Sequence, residues 1–189
     1  MKILMRTMIR LSVVATMMTV LTASCFIQPA MAGDTSKLDR AVDKAVKKLY
    51  AKSPAAVELF KVAKGVLIFP SIKKAGFLVG GQYGDGALLM KGKTVGYYNT
   101  VAGSYGLQAG AQEFAYALFF MDTDSLEYLN KSDGWEVGVG PSIVYVDEGM
   151  AKTMTSSTAQ KGIYAFIYGQ KGLMAGLGIQ GSKITRINP

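Results

Sequence analysis

From Leu38 to Leu49 apolar residues recur three and four apart, at Leu38, Ala41, Val42, Ala45, Val46 and Leu49, in a segment without Gly or Pro. That period predicts an amphipathic helix, preceded by a short polar lead from Gly33 to Ser36. Ser53-Pro54 supplies a helix N-cap followed by proline at the first helical position, and Val57, Phe60 and Ala63 carry a second short helix to Gly65. Beyond Gly65 the pattern becomes that of strands. Val66 to Phe69 is an unbroken apolar run ending at Pro70, as expected of a buried strand, and Ala75 to Tyr83 reads as the next strand. Gly84-Asp85-Gly86 then predicts a tight turn, with Gly80 and Gly81 as glycines of the same hairpin and Ala87 to Met90 as its return. Lys91-Gly92-Lys93 predicts a further turn into Thr94 to Asn99.

Alternation is clear from Gly103 to Ala111, where Tyr105, Leu107, Ala109 and Ala111 share one parity. At Gln112-Glu113 the phase slips, because Phe114, Tyr116, Leu118 and Phe120 take the even positions. A slip of one residue turns every side chain over, so a bulge or corner is expected there. Asp122 to Lys131 interrupts with helical character, and Asp124-Ser125-Leu126-Glu127 has the form of a capping box. Trp135 to Val146 returns to strand with a kink at Gly140-Pro141, Ala151 to Gln160 reads as an irregular excursion, and Gly162 to Tyr168, Leu173 to Gln180 and Ile184 to Ile187 close the chain as strands. The expected fold is α+β and mainly β: a curved antiparallel sheet or barrel-like sandwich with the N-terminal helices packed against it.

The first 32 residues stand apart. Lys2, Arg6 and Arg10 give a basic start, Leu11 to Ala23 is apolar, and Ala30-Met31-Ala32 has the small-x-small form of a signal-peptidase site. This predicts a secretory signal over residues 1–32 and a single domain over 33–189. The apolar run is shorter than the ~20 residues a bilayer crossing needs. Thr22-Ala23-Ser24-Cys25 offers a second processing route, resembling a lipoprotein site at which Cys25 is lipidated, although Thr22 stands where Leu, Val or Ile is usual. The expected location is therefore periplasmic or secreted after cleavage near Ala32, or alternatively membrane-anchored through Cys25. Removing Lys2, Arg6 and Arg10 with no acidic residue lowers the formal charge from +8 to +5. A positive balance of that size suits anionic surfaces and is also an ordinary solubility margin.

Cys25 is the single cysteine and the chain has no histidine. The domain beyond the signal therefore has no disulfide, no Cys or His metal site, no Ser-His-Asp triad and no Cys-His pair. Catalysis would fall to carboxylates, Lys, Tyr, Ser and Thr. Asp85 lies in the expected glycine turn and Asp122 and Asp124 near a helix start, which leaves Glu113, at the phase slip, without a local explanation. The glycine-rich run Gly80 to Gly86 is followed by strand-like sequence where a phosphate-binding loop needs a helix N-terminus, so it reads as hairpin glycines. Lys44, Lys47, Lys48 and Lys52 fall mostly off the apolar stripe of the first helix, and Lys73 and Lys74 are adjacent in the connection after Pro70. Two readings of these lysines stand open: a helix packed on the domain with solvated lysines, and a basic amphipathic helix that meets an anionic bilayer.

Four stretches in order resemble the SYLF domain, a lipid-binding family of bacterial envelope proteins and of eukaryotic membrane-trafficking and actin-patch proteins. They are the helix ending in Leu49-Tyr50, the block Ala63 to Pro70, Gly76-Phe77 followed by Gly80-Gly81 and Gly84-Asp85-Gly86, and the ribbon Gly103 to Phe120. The likeness spans about Ala41 to Ile187. It implies a non-enzymatic lipid-binding domain without cofactor or metal, and in eukaryotic members a preference for phosphoinositides through a basic amphipathic N-terminal helix. For an envelope protein the corresponding ligand is an anionic phospholipid such as phosphatidylglycerol or cardiolipin, met by Lys44, Lys47, Lys48, Lys52, Lys73 and Lys74. Actin binding in yeast members depends on sequence outside the matching part and is not implied, nor is nucleic acid. The competing expectation is a structural or adaptor protein of the envelope acting through a protein partner.

Overall fold

The structure, a computed structural model, describes residues 32–130, 134–137, 139–146, 162–172 and 181–188. Residues 1–31 of the expected signal segment, Cys25 among them, the excursion Ala151–Gln160 and the strand Leu173–Gln180 lie outside the described residues. The chain opens with two helices, α1 (Ala32–Lys52) and α2 (Pro54–Val62). α1 takes in Gly33 to Ser36, expected as a polar lead. Ser53 caps α2 as expected, its hydroxyl accepting from the Ala56 N–H at 3.3 Å.

The short strands expected next are two very long ones. β1 (Gly65–Met90) and β2 (Lys93–Phe120) pair antiparallel from Gly65↔Phe120 to Met90↔Lys93. The turn between them is Lys91-Gly92, both at positive φ, as a two-residue hairpin favours. Gly80, Gly81, Gly84, Asp85 and Gly86 form no turn; all five lie within β1. The glycines are needed for a different reason. A Cβ on Gly86 would stand 2.4 Å from the Ile68 carbonyl oxygen, and one on Gly84 would stand 2.8 Å from that of Ser71. The second arm of β1 thus lies against its own first arm, and the crossing tolerates no side chain at these points.

Then come α3 (Thr123–Leu129), β3 (Trp135–Glu136), β4 (Ile143–Tyr145), β5 (Ile163–Gly172) and β6 (Lys183–Ile187). Asp122, not Asp124, caps α3: its carboxylate accepts from the N–H groups of Ser125 at 2.7 Å and Gly162 at 2.6 Å. A break separates β3 from β4 around Gly140, as the Gly-Pro pair led one to expect. β2 organises the sheet, pairing on one edge with β1 and on the other with β6 and β5. β4 pairs parallel to β5, so the sheet is mixed where an antiparallel one was expected. It curls into a half-barrel with helices packed against it, and the fold is α+β and mainly β.

The phase slip has its counterpart in two ladder irregularities, between Phe69 and Ile72 on the β1 side of β2 and between Glu113 and Ala115 on the β5 side. Past them, β2 from Phe114 to Phe120 is buried residue after residue. Even positions Phe114, Tyr116, Leu118 and Phe120 join a core with Leu67, Phe69, Trp135 and Ile184, whereas Ala115, Ala117 and Phe119 join a second core with α1, α2 and Phe166. A strand covered on both faces has no need to alternate, which is why Val66 to Phe69 and Phe114 to Phe120 read as continuous apolar runs.

Candidate functional site

The placement of α1 decides what its lysines can do. Val42, Ala45 and Leu49 are buried against the sheet and α2. Polar contacts fix the helix further: the Asp39 carboxylate accepts from the hydroxyls of Thr94 and Tyr97, each at 3.0 Å, and the Tyr168 hydroxyl donates to the Ala45 carbonyl at 3.2 Å. The apolar stripe of the helix is therefore occupied by protein, and what faces solvent is the charged side, with Lys44, Lys47, Lys48 and Lys52 all exposed. A helix lying with its apolar face in a bilayer does not match this packing; a lysine surface does.

Lys44 and Lys48, one turn apart, line a cleft of about 270 Å³ between α1 and the sheet. Pro70 and Ser71 of β1, Glu113 of β2, and Tyr168, Gly169 and Lys171 of β5 complete its walls. Gly169 takes φ +69°, and a Cβ there would come 2.8 Å from the Lys48 ammonium nitrogen, so the glycine lets that side chain lie over the strand. Burial, with the neighbouring Tyr50 second, pushes the Tyr168 phenol up, so it stays a neutral donor at physiological pH.

Glu113 now has an explanation that local sequence did not offer. It faces Lys73 across the β1 ladder and Lys171 across the β5 ladder, on the exposed side of the sheet. Directly opposed residues of opposite charge stabilise antiparallel pairs. Its Oε1 also accepts from the Ser71 hydroxyl at 2.7 Å. With three lysines and one carboxylate in its lining, the cleft keeps a positive excess.

The six lysines singled out from sequence thus divide. Lys44 and Lys48 share the cleft, Lys73 adjoins it through Glu113, and Lys47 and Lys52 stay exposed elsewhere on α1. Lys74 is not a surface-facing candidate: it is buried opposite the buried Gln112, because successive residues of a strand point to opposite faces and Lys73 takes the outer one. Lys171 was missed, since only the β2–β5 pairing brings it to α1. Among the described residues, no group of three or more acidic or cysteine side chains is placed to hold a metal, and no helix is long and apolar enough to cross a membrane.

No protein-family model matches the chain, and no curated protein matches it. Its chemistry therefore has to be read from its own geometry: an open, cationic recess built by three strands and the outer face of a helix.

Proposed function

We propose that this is a non-enzymatic, SYLF-type domain of the cell envelope that associates with anionic phospholipid surfaces through its lysines. The observation that carries the reading is the convergence of Lys44, Lys48 and Lys171 on one open cleft, with Lys73 beside it across Glu113. A cleft of this size takes a phosphate-bearing headgroup, and the exposed Lys47 and Lys52 add attraction without a fixed partner. The helix acts here as a rigid carrier of charge, not as the inserted element. Near an anionic membrane each lysine contributes about 1 kcal/mol, so a group of four to six gives measurable binding where one alone does not.

Flotation with liposomes tests this. The expected result is binding to phosphatidylglycerol-containing vesicles, weakening as salt is raised, with little binding to neutral phosphatidylcholine. Changing Lys44, Lys48 and Lys171 together to Glu, which reverses three charges, is expected to weaken binding by more than about 100-fold. Equal binding to both kinds of vesicle, or an unaffected triple variant, overturns the reading. One stoichiometric protein partner with no lipid co-purifying would instead support an adaptor role.

A further inference from the structure

Beyond the cleft, the β1–β2 ribbon continues into a segment that neither core uses. No residue from Ala75 to Gly84 on β1, or from Asn99 to Gln112 on β2, carries a charge. Phe77, Leu78 and Val79 are 74%, 51% and 60% exposed. All three flank a register shift in the ladder, so on the β1 side an unbroken apolar run is left bare. Gly76 and Gly80 come close together, so Phe77 to Val79 form the tip of a sharp bend in β1.

The chain is shaped to make it. The ladder shifts register between Phe77 and Val79, and Leu78 adopts φ +62°, a left-handed conformation unusual for a bulky residue. A Cβ on Gly76 would lie 2.4 Å from the Gly80 Cα, so the bend also depends on a missing side chain. Past the bulge the apolar surface continues. Val79 and Tyr83 share a parity with Gly81 between them, and Tyr83 opposes the exposed Val101 while Gly81 opposes Gly103. Exposed strands are ordinarily guarded by charges, and this one has none.

We propose that Phe77, Leu78 and Val79 insert into the boundary between headgroups and acyl chains of an anionic bilayer, anchoring the domain that the lysines bring to the surface. This rests on the lipid-association reading above. A bilayer suits the tip because three exposed apolar side chains at the apex of a bend fit a medium that can close around them, whereas a protein partner would need a matching slot. Charge complementarity supports the same occupant. Exposed Lys73 precedes Phe77 by four residues, at most about 13 Å along an extended strand. Lys73 also joins, through Glu113, the lysines of the cleft. With the tip sunk about 5–10 Å, the usual depth of an interfacial anchor, these ammonium groups stand at headgroup level.

The test uses the purified protein with vesicles of phosphatidylcholine containing phosphatidylglycerol. Trp135 is buried and gives a steady background, so in Leu78→Trp the new indole reports the tip. Its emission is expected to shift to the blue on adding vesicles and to be quenched by brominated acyl chains. A variant with Phe77, Leu78 and Val79 all changed to Ser is expected to lose about 30-fold in vesicle affinity while keeping the wild-type unfolding midpoint. Wild-type-like binding of the Ser variant, with an unmoved indole, overturns insertion and leaves the lysine reading intact. Quenching that persists in neutral vesicles and survives the Lys→Glu changes keeps the tip as an anchor and removes the lysine reading. A blue shift without vesicles that grows with protein concentration makes the tip a contact between copies and overturns the proposal.

Discussion

Two stretches of one β-ribbon have the same pairing and similar β-forming residues, yet opposite fates. At its root, Val66 to Ile72 of β1 lies beside Phe114 to Phe120 of β2, and α1, α2, α3, β5 and the short strands cover both faces. At its tip, the bend around Phe77 to Val79, the β1 side chains are exposed. Hydrophobicity along the ribbon is therefore not a measure of burial. What separates the two stretches is whether other elements return to cover them, and in the root two separate layers do.

The largest expected effect breaks the covered half outright. Burial pushes up the phenols of Tyr116, at the root, of Tyr50, on α1, and of Tyr168, which bonds α1 at Ala45. A tyrosine whose folded pKa lies above its unfolded value near 10 binds more protons folded than unfolded once pH passes 10, so stability falls with rising pH. The contribution is intact below pH 10 and is lost as pH climbs toward the folded values. The fold is expected to collapse cooperatively above about pH 11, with tyrosinate absorbance rising at the unfolding transition. Gradual ionisation of all tyrosines from pH 10 with the circular dichroism unchanged would mean that these phenols are not buried.

Next in size is a direct exchange of truncations. Phe119 is fully buried and its ring meets that of Phe166 edge-on at 5.2 Å. Phe119→Ala is expected to cost about 3–5 kcal/mol in urea unfolding, and Phe77→Ala no more than about 0.5 kcal/mol. Comparable losses at the two positions would show that the tip is covered after all.

A subtler pair separates crossing from open strand. Gly86→Ala drives a methyl into the Ile68 carbonyl, so a loss of about 2–3 kcal/mol is expected. Gly81→Ala meets nothing nearer than the Ala102 oxygen at 3.7 Å and is expected to stay within about 0.5 kcal/mol of wild type. If both are silent, the arms of β1 do not cross closely.

That pair also marks where sequence reasoning reached and where it stopped. The helical stripe from Leu38 to Leu49, the Ser53-Pro54 cap and the phase slip at Gln112-Glu113 were legible because each is a local signal of period or capping. Gly84-Asp85-Gly86 was misread as a turn because a glycine that permits a left-handed φ and one that makes room for a distant backbone look alike in one dimension. The true turn, Lys91-Gly92, was also visible, and choosing between the two sites required the register. At the site, Lys44 and Lys48 announced themselves by helical spacing, and strand alternation alone would have divided Lys73 from Lys74 once β1 was known to run straight through them. Lys171 lay beyond local reading, because it reaches the cleft only through a strand pairing across 58 residues, Glu113 to Lys171.

The smallest effect bears most directly on why the tip exists. Leu78 at φ +62° carries a penalty of about 1–2 kcal/mol relative to an ordinary backbone conformation, and in return contacts solvent. Glycine would remove that penalty at a cost of about 0.5–1 kcal/mol in unfolded-chain entropy. Leu78→Gly is therefore expected to raise stability by about 0.5 kcal/mol, read as a later urea midpoint, while weakening binding to anionic vesicles. A substitution that stabilises the protein and impairs its association would set the tip against the root, where packing and stability coincide. If Leu78→Gly instead destabilises the domain, the left-handed leucine is held by contacts of its own and the tip belongs to the fold.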